Sequence, residues 1–301
     1  MDHRELLNAF LALRLKQPGW PPVLANCSYV ISGVGVTLKL AGGDKAAPDV
    51  VASATERHHT LITEVKGGHS VDISQLTRME GISAQNLRDY HHLSIPKPEV
   101  HRISVVYFCN EEEREGLANE VGERATVIGF NGSRFRLSGR TLADDMLRQE
   151  LMAAKVEVGL PPLAIIPFDQ DTALGDVARV AMPVAVGQLL HGTGTITPEG
   201  ILRTTHGLVF DVMTSTGSDS ELKQIRSRVL DFLREAAGNE LKGWLAREEG
   251  QPTWRFRRSL SSDQAARTRD LQALQKLGYE LVERLGGLRG VQLELDDISR
   301  A

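Results

Sequence analysis

The sequence is short of cysteine, of long apolar runs and of any marked charge imbalance. Its two cysteines, Cys27 and Cys109, lie far apart, and no Cys/His spacing marks a zinc site. That usage points to a reduced, intracellular chain, with the cytoplasm as the expected location. No apolar run is long enough to span a bilayer, and MDHRELLNAFLALRLKQ at the start is charged at both ends, unlike a signal peptide. No membrane partner is therefore expected. A net charge of -4, from 35 basic and 39 acidic residues, lacks the basic excess that would by itself argue for nucleic acid. A local basic patch would still suffice for such binding. Internal repeats and low-complexity segments are missing too. Gly192-Thr193-Gly194-Thr195 has no Walker lysine, and neither a GxSxG elbow nor a dinucleotide fingerprint occurs.

What is present suits two folded domains: 301 residues, 41% hydrophobic and 25% charged. Leu6, Phe10 and Leu13 recur at helical spacing over residues 3–16, with Asp2 and Glu5 placed as a capping box. Residues 27–40 read as a strand or bent strand pair, 48–54 and 59–66 as two strands around a short turn, and about 70–87 as a helix. The apolar run 100–109 reads as a buried strand. A short acidic helix over 111–122 and a hairpin around Asn131-Gly132 complete a mixed α/β domain over residues 1–140. Residues 141–301 are expected to be mostly helical: 141–156, 173–190, 219–248 and 262–285, with a hairpin over 201–205 and 208–213. Helix followed by hairpin in 173–213 makes a winged-helix-like arrangement one option for this half.

The chemistry concentrates at Asp49, Glu64 and Lys66. If 48–54 and 59–66 form a hairpin turning at Glu56-Arg57, the constant index sum of an antiparallel ladder sets Asp49 opposite Glu64. Lys66, two residues on, leaves the same face. Two carboxylates this close repel unless one is protonated or a cation lies between them. Mg²⁺ suits that role, using one or two carboxylates and completing its shell with water and substrate phosphate. With a lysine beside it, this is equipment for phosphodiester hydrolysis.

Pro48-Asp49, the gap to Glu64-Val65-Lys66 and the flanks Val50-Val51 and Leu61-Ile62 resemble the PD-(D/E)xK nuclease superfamily, the restriction-endonuclease-like fold. The resemblance implies an αβββαβ core, metal bound by Asp49, Glu64 and the Val65 carbonyl, and Lys66 as the catalytic lysine. It implies Mg²⁺ as cofactor, with Mn²⁺ as a substitute, and nucleic acid as substrate, DNA first, in restriction, defence or repair. A homodimer or a protein partner in such a complex would fit. Several branches carry a QxxxY helix motif, which Gln75 matches while Met79 stands where the tyrosine would be. Gln75 is thus either a site residue or an ordinary helix-surface residue. Glu5 is a candidate metal ligand of the first helix, against its simpler role in a cap. A non-catalytic nucleic-acid-binding or assembly module that keeps the fold is the alternative to an endodeoxyribonuclease.

Other candidates carry less. His58-His59 and His91-His92 are adjacent pairs whose members point to opposite faces, so neither is a ready metal clamp. His69 lies near the proposed site, in a position to touch phosphate or simply to sit in a surface loop. In Trp254-Arg255-Phe256-Arg257-Arg258 the arginines could contact a nucleic-acid backbone. The competing reading is a strand with aromatics inward and arginines outward.

Overall fold

The fold comes from a computed structural model of residues 1–301. It describes all residues except 41, 92–94, 96, 163, 191–193, 216–218, 258 and 287–301. The chain divides into two compact units, Met1–Ile165 with Asp211–Asp219, and Ile166–Phe210 with Ser220–Ala301. The first unit thus extends past residue 140, where the domain boundary was expected.

In the first unit, α1 (His3–Ala12) and α2 (Val23–Asn26) precede β1 (Val30–Val34). The small hairpin β2 (Leu38–Lys39) and β3 (Lys45–Ala46) leads to β4 (Val50–Ala54) and β5 (His59–Lys66). Helices α3 (Ile73–Glu80) and α4 (Ala84–His91) then cross to β6 (Arg102–Asn110). The single helix expected over 70–87 is two helices, because Gly81 closes the first. After β6 come α5 (Arg114–Val121), the hairpin β7 (Thr126–Phe130) and β8 (Phe135–Gly139), and α6 (Asp145–Ala153).

A six-stranded mixed sheet runs β1-β4-β5-β6-β7-β8. β5–β6 and β6–β7 are parallel, while β1–β4, β4–β5 and β7–β8 are antiparallel. The central strand β6 is covered on both faces, which is why its sequence is an apolar run rather than an alternation. Phe108 meets Phe10 of α1 at a ring separation of 5.4 Å and stacks on Phe130 at 6.3 Å. On the other face Val105, Tyr107 and Cys109 pack with Ile62, Leu76, Met79, Leu117 and Val121. The mixed α/β class is as expected.

Through the second unit, α7 (Leu174–Leu190) is followed by β9 (Thr195–Ile196), α8 (Pro198–Ser215) and α9 (Asp219–Gly238), with Asp211–Asp219 counted in the first unit. The hairpin β10 (Leu245–Arg247) and β11 (Trp254–Phe256) and the long α10 (Gln264–Arg284) complete it. The strands form a sheet in the order β10-β11-β9, and α10 packs on α7. Two expectations are corrected here. Residues 201–213 form the helix α8, not a hairpin. Ile201, Leu202, His206, Val209, Phe210 and Met213 are all buried at helical spacing. Thr197 caps the helix by accepting from Gly200 N at 3.0 Å, Pro198 starts it, and Gly207, at φ 46° and ψ -122°, kinks it instead of reversing the chain. The helix expected over 219–248 ends at Gly238, a residue type that favours helix ends, and the chain returns as β10.

Candidate active site

The turn between β4 and β5 is a 3-10 turn over Thr55–Arg57, closed by His58 in the left-handed region at φ 50°. It pairs Ala54 with His59 and Val50 with Thr63, so one further step of the ladder sets Asp49 opposite Glu64. β5 then lies parallel to β6 with Glu64 beside Tyr107 and Lys66 beside Cys109. Glu64 therefore shares the face of Ile62 and Tyr107, the face covered by α3.

Lys66 Nζ lies 3.1 Å from Glu64 Oε1, with 22% and 13% of the two side chains exposed. Glu64 Oε2 is buried and has no hydrogen-bond partner among the described residues. Burial first, and the Asp49 carboxylate second, push the Glu64 pKa up to about 7, while Lys66 and His3 oppose the shift. This carboxyl titrates near neutrality because it is held dry beside a second acid. Asp49 is differently placed. Its Oδ2 accepts from the Val65 backbone N–H at 2.7 Å, and His3 Nε2 approaches the same oxygen at 3.5 Å.

His3 and Tyr107 were not singled out in the sequence. His3 is brought in because the start of α1 abuts Gly67, where an added Cβ would come within 3.2 Å of the His3 backbone nitrogen. Tyr107 arrives through the α3–α4 crossover. Its hydroxyl is buried and has no partner among the described residues.

The remaining expected residues fall into place as follows. Gln75 is buried, in the first turn of α3. Its Oε1 accepts from the Arg78 guanidinium at 3.1 and 3.4 Å. Glu5 belongs to a capping box: it accepts from Asp2 N at 2.9 Å while Asp2 accepts from Glu5 N at 2.8 Å. His69 is exposed and pairs with Glu113. His59 is buried between Tyr29 and Ser104. Arg255 is exposed and pairs with Glu248 at 2.8 Å, and Arg257 Nε donates to the Leu245 carbonyl at 3.3 Å. Trp254 is buried beneath them, and Arg258 lies outside the described residues.

Among the described residues, no group of three or more His, Cys, Asp or Glu side chains is arranged to hold a metal ion. A cation here would have two side-chain oxygen ligands at most, from Asp49 and Glu64. Comparison with known proteins finds one family. Residues 2–116 match the MJECL32 domain. The MJECL32 match runs from α1 into α5, so it takes in Asp49, Glu64, Lys66, Gln75, His3 and Tyr107, and stops short of the second unit. No curated protein and no solved structure matches the chain.

Proposed function

We propose that the protein is a divalent-metal-dependent nuclease, hydrolysing phosphodiester bonds of DNA. The observation that carries this reading is the pair Asp49 and Glu64, with Lys66 bonded to one Glu64 oxygen and the other left buried without a partner. A carboxyl pushed up to about 7 by burial and a neighbouring acid, despite its ion pair with Lys66, suits a cation that would balance the second carboxylate. Asp49, Glu64 and the Val65 carbonyl would hold it, with water and substrate phosphate filling the other positions, as Mg²⁺ commonly allows. Once bound, such a metal polarises a phosphoryl oxygen and lowers the pKa of its water.

The chain's own groups do the rest. Lys66, tethered to Glu64, is a fixed positive charge at the edge of the site, able to stabilise charge developing on phosphate. His3, half exposed, stands beside Asp49, within reach of a phosphate held there. The order of helix, strand, two helices and hairpin, with β11 central in its small sheet, is consistent with a winged-helix-like module in a contact role, although the hairpin expected within 173–213 is a helix. No helix among the described residues is long and apolar enough to cross a membrane.

The non-catalytic reading has one observation in its favour: Asp49 already uses an oxygen on the Val65 amide. The test is cleavage of plasmid, linear duplex, single-stranded DNA and RNA by the purified chain, with and without Mg²⁺ or Mn²⁺. Glu64→Gln serves as control. Metal-dependent cleavage that the variant loses supports the nuclease. Binding of nucleic acid without cleavage in either metal leaves a binding module.

A further inference from the structure

Tyr107 sits where a phenylalanine would serve the fold better. Its neighbours along β6, Val105, Val106 and Phe108, are apolar and buried, and Tyr107 itself is 0% exposed. A buried hydroxyl without a partner costs about 1–3 kcal/mol, and native proteins leave few of them. Burial first, and the Glu64 carboxylate next, hold the phenol above its usual pKa, so it is an O–H donor at every ordinary pH.

The acceptors near it are mostly spoken for. Asp72 Oδ1 caps α3 by accepting from Ser74 and Gln75 backbone N–H groups at 2.8 and 3.1 Å. Glu80 is held by Arg124, Nε to Oε2 at 3.0 Å. Glu64 remains: it lies directly beside Tyr107 across the parallel ladder, on the same face, and its Oε2 is likewise buried without a partner among the described residues. An unpaired donor and an unpaired acceptor on adjacent residues of one face are complementary. A side-chain rotation, or one bridging water, would join them.

We propose that Tyr107 is a positioning residue: its hydroxyl holds Glu64 Oε2, directly or through one water, and so fixes the carboxylate in the orientation that takes a divalent cation. This rests on the reading of Asp49 and Glu64 as cation ligands. Outer-shell hydrogen bonds to ligating carboxylates typically contribute about 10–100-fold in metal affinity.

The experiment is calorimetric titration of the metal-free protein with Mn²⁺ at one fixed pH, for the parent, Tyr107→Phe and Glu64→Gln. Thermal unfolding of each protein is recorded alongside. The expected result is a loss of affinity of about 10–100-fold in Tyr107→Phe, with a Tm modestly below the parent's from the lost buried hydrogen bond, and no binding in Glu64→Gln. A second measurement uses infrared carboxylate bands, assigned to Glu64 by their loss in Glu64→Gln. They should shift in metal-free Tyr107→Phe. Parent-like affinity in Tyr107→Phe, or unshifted Glu64 bands, overturns the role of Tyr107 and leaves the cation site standing. A parent that binds no Mn²⁺ overturns both.

Discussion

Asp49 Oδ2 accepts a hydrogen bond from the Val65 backbone N–H at 2.7 Å, so one carboxylate of the proposed site also ties the entry of β4 to the last turn of the pleat in β5. The bond holds Asp49 against the end of the ladder, level with Glu64. It makes the position partly structural, and the two roles separate by substitution.

Asp49→Asn keeps an oxygen for the Val65 amide and removes the negative charge beside Glu64. Its Tm should match or slightly exceed the parent's, while Mn²⁺ binding is lost. Asp49→Ala removes the acceptor as well and should cost about 1–3 kcal/mol, the range for stranding a buried amide. A large loss of stability in Asp49→Asn, measured by denaturant titration, would show that the charge itself supports the fold and would remove Asp49 from the metal site.

The hairpin carrying Asp49 and Glu64 was legible because an antiparallel pair obeys a simple index rule. The turn at Glu56-Arg57 is not a favoured two-residue type, yet a four-residue turn centred on the same point keeps the register. Tyr107 and His3 were not legible in that way. A parallel pairing has no index sum, so nothing in residues 59–66 says that Glu64 will lie beside Tyr107. The one clue was a hydroxyl inside the apolar run Val105–Cys109. His3 depends on how α1 seats against Gly67, a tertiary fact. In the second unit, His206-Gly207 imitates a hairpin turn, whereas Thr197-Pro198, which opens a helix, is the cue that matches α8.

Acid should weaken both units through two histidines that fold neutral. Tyr29 Oη donates to Asp144 Oδ2 at 3.0 Å, so His59 Nδ1–H must donate to Tyr29 Oη at 2.5 Å. His59 Nε2 then accepts from the Ser104 hydroxyl at 2.9 Å. Burial lowers the pKa of His59 to about 4 and that of His206 to about 4. The unfolded chain takes up these protons from about pH 6.5 downward, the folded chain only near pH 4. The two histidines therefore remove stability as pH drops from about 6.5 to 4, by roughly 3 kcal/mol per group at about 1.4 kcal/mol per unit, while Glu64, pushed up to about 7, works in the opposite direction over the same range. Asp144 stays ionised across this window: burial would raise its pKa, but Arg57, the Leu147 amide and Tyr29 outweigh burial and hold it at about 2. Denaturant titrations at pH 7, 5.5 and 4.5 check this. A His59→Gln variant with an acid slope equal to the parent's would refute it.

Arg255 in β11 and Arg257 just after it give a salt-dependence test for the second unit. Arg255 is 69% exposed on its side chain and paired with Glu248, a contact worth little at the surface and easily exchanged for phosphate. If this unit binds nucleic acid through the strand, replacing Arg255 and Arg257 by alanine should reduce the slope of log K against log salt by about 1 per arginine. An unchanged slope would take β11 out of the interface and point to a protein partner.

Lys66 separates an active nuclease from an inactive relative of the same fold. Its ammonium has no lone pair to offer a metal, so Lys66→Ala should still bind Mn²⁺. It ends β5 just before Gly67-Gly68, and its ion pair with Glu64 is partly exposed, so the variant should fold. On the proposed nuclease reading it would lose a fixed charge where negative charge would build on phosphate, and such preorganised groups typically contribute about 10²–10³ in rate. Single-turnover cleavage at saturating Mg²⁺ should fall by that order, with nucleic-acid affinity little changed. If Lys66→Ala cleaves at the parent's rate, Lys66 serves only as the counterion of Glu64, and the transition-state charge must be met by another group. Arg78, which reaches both Gln75 and Asp72 on the same helix, would be the next residue to replace.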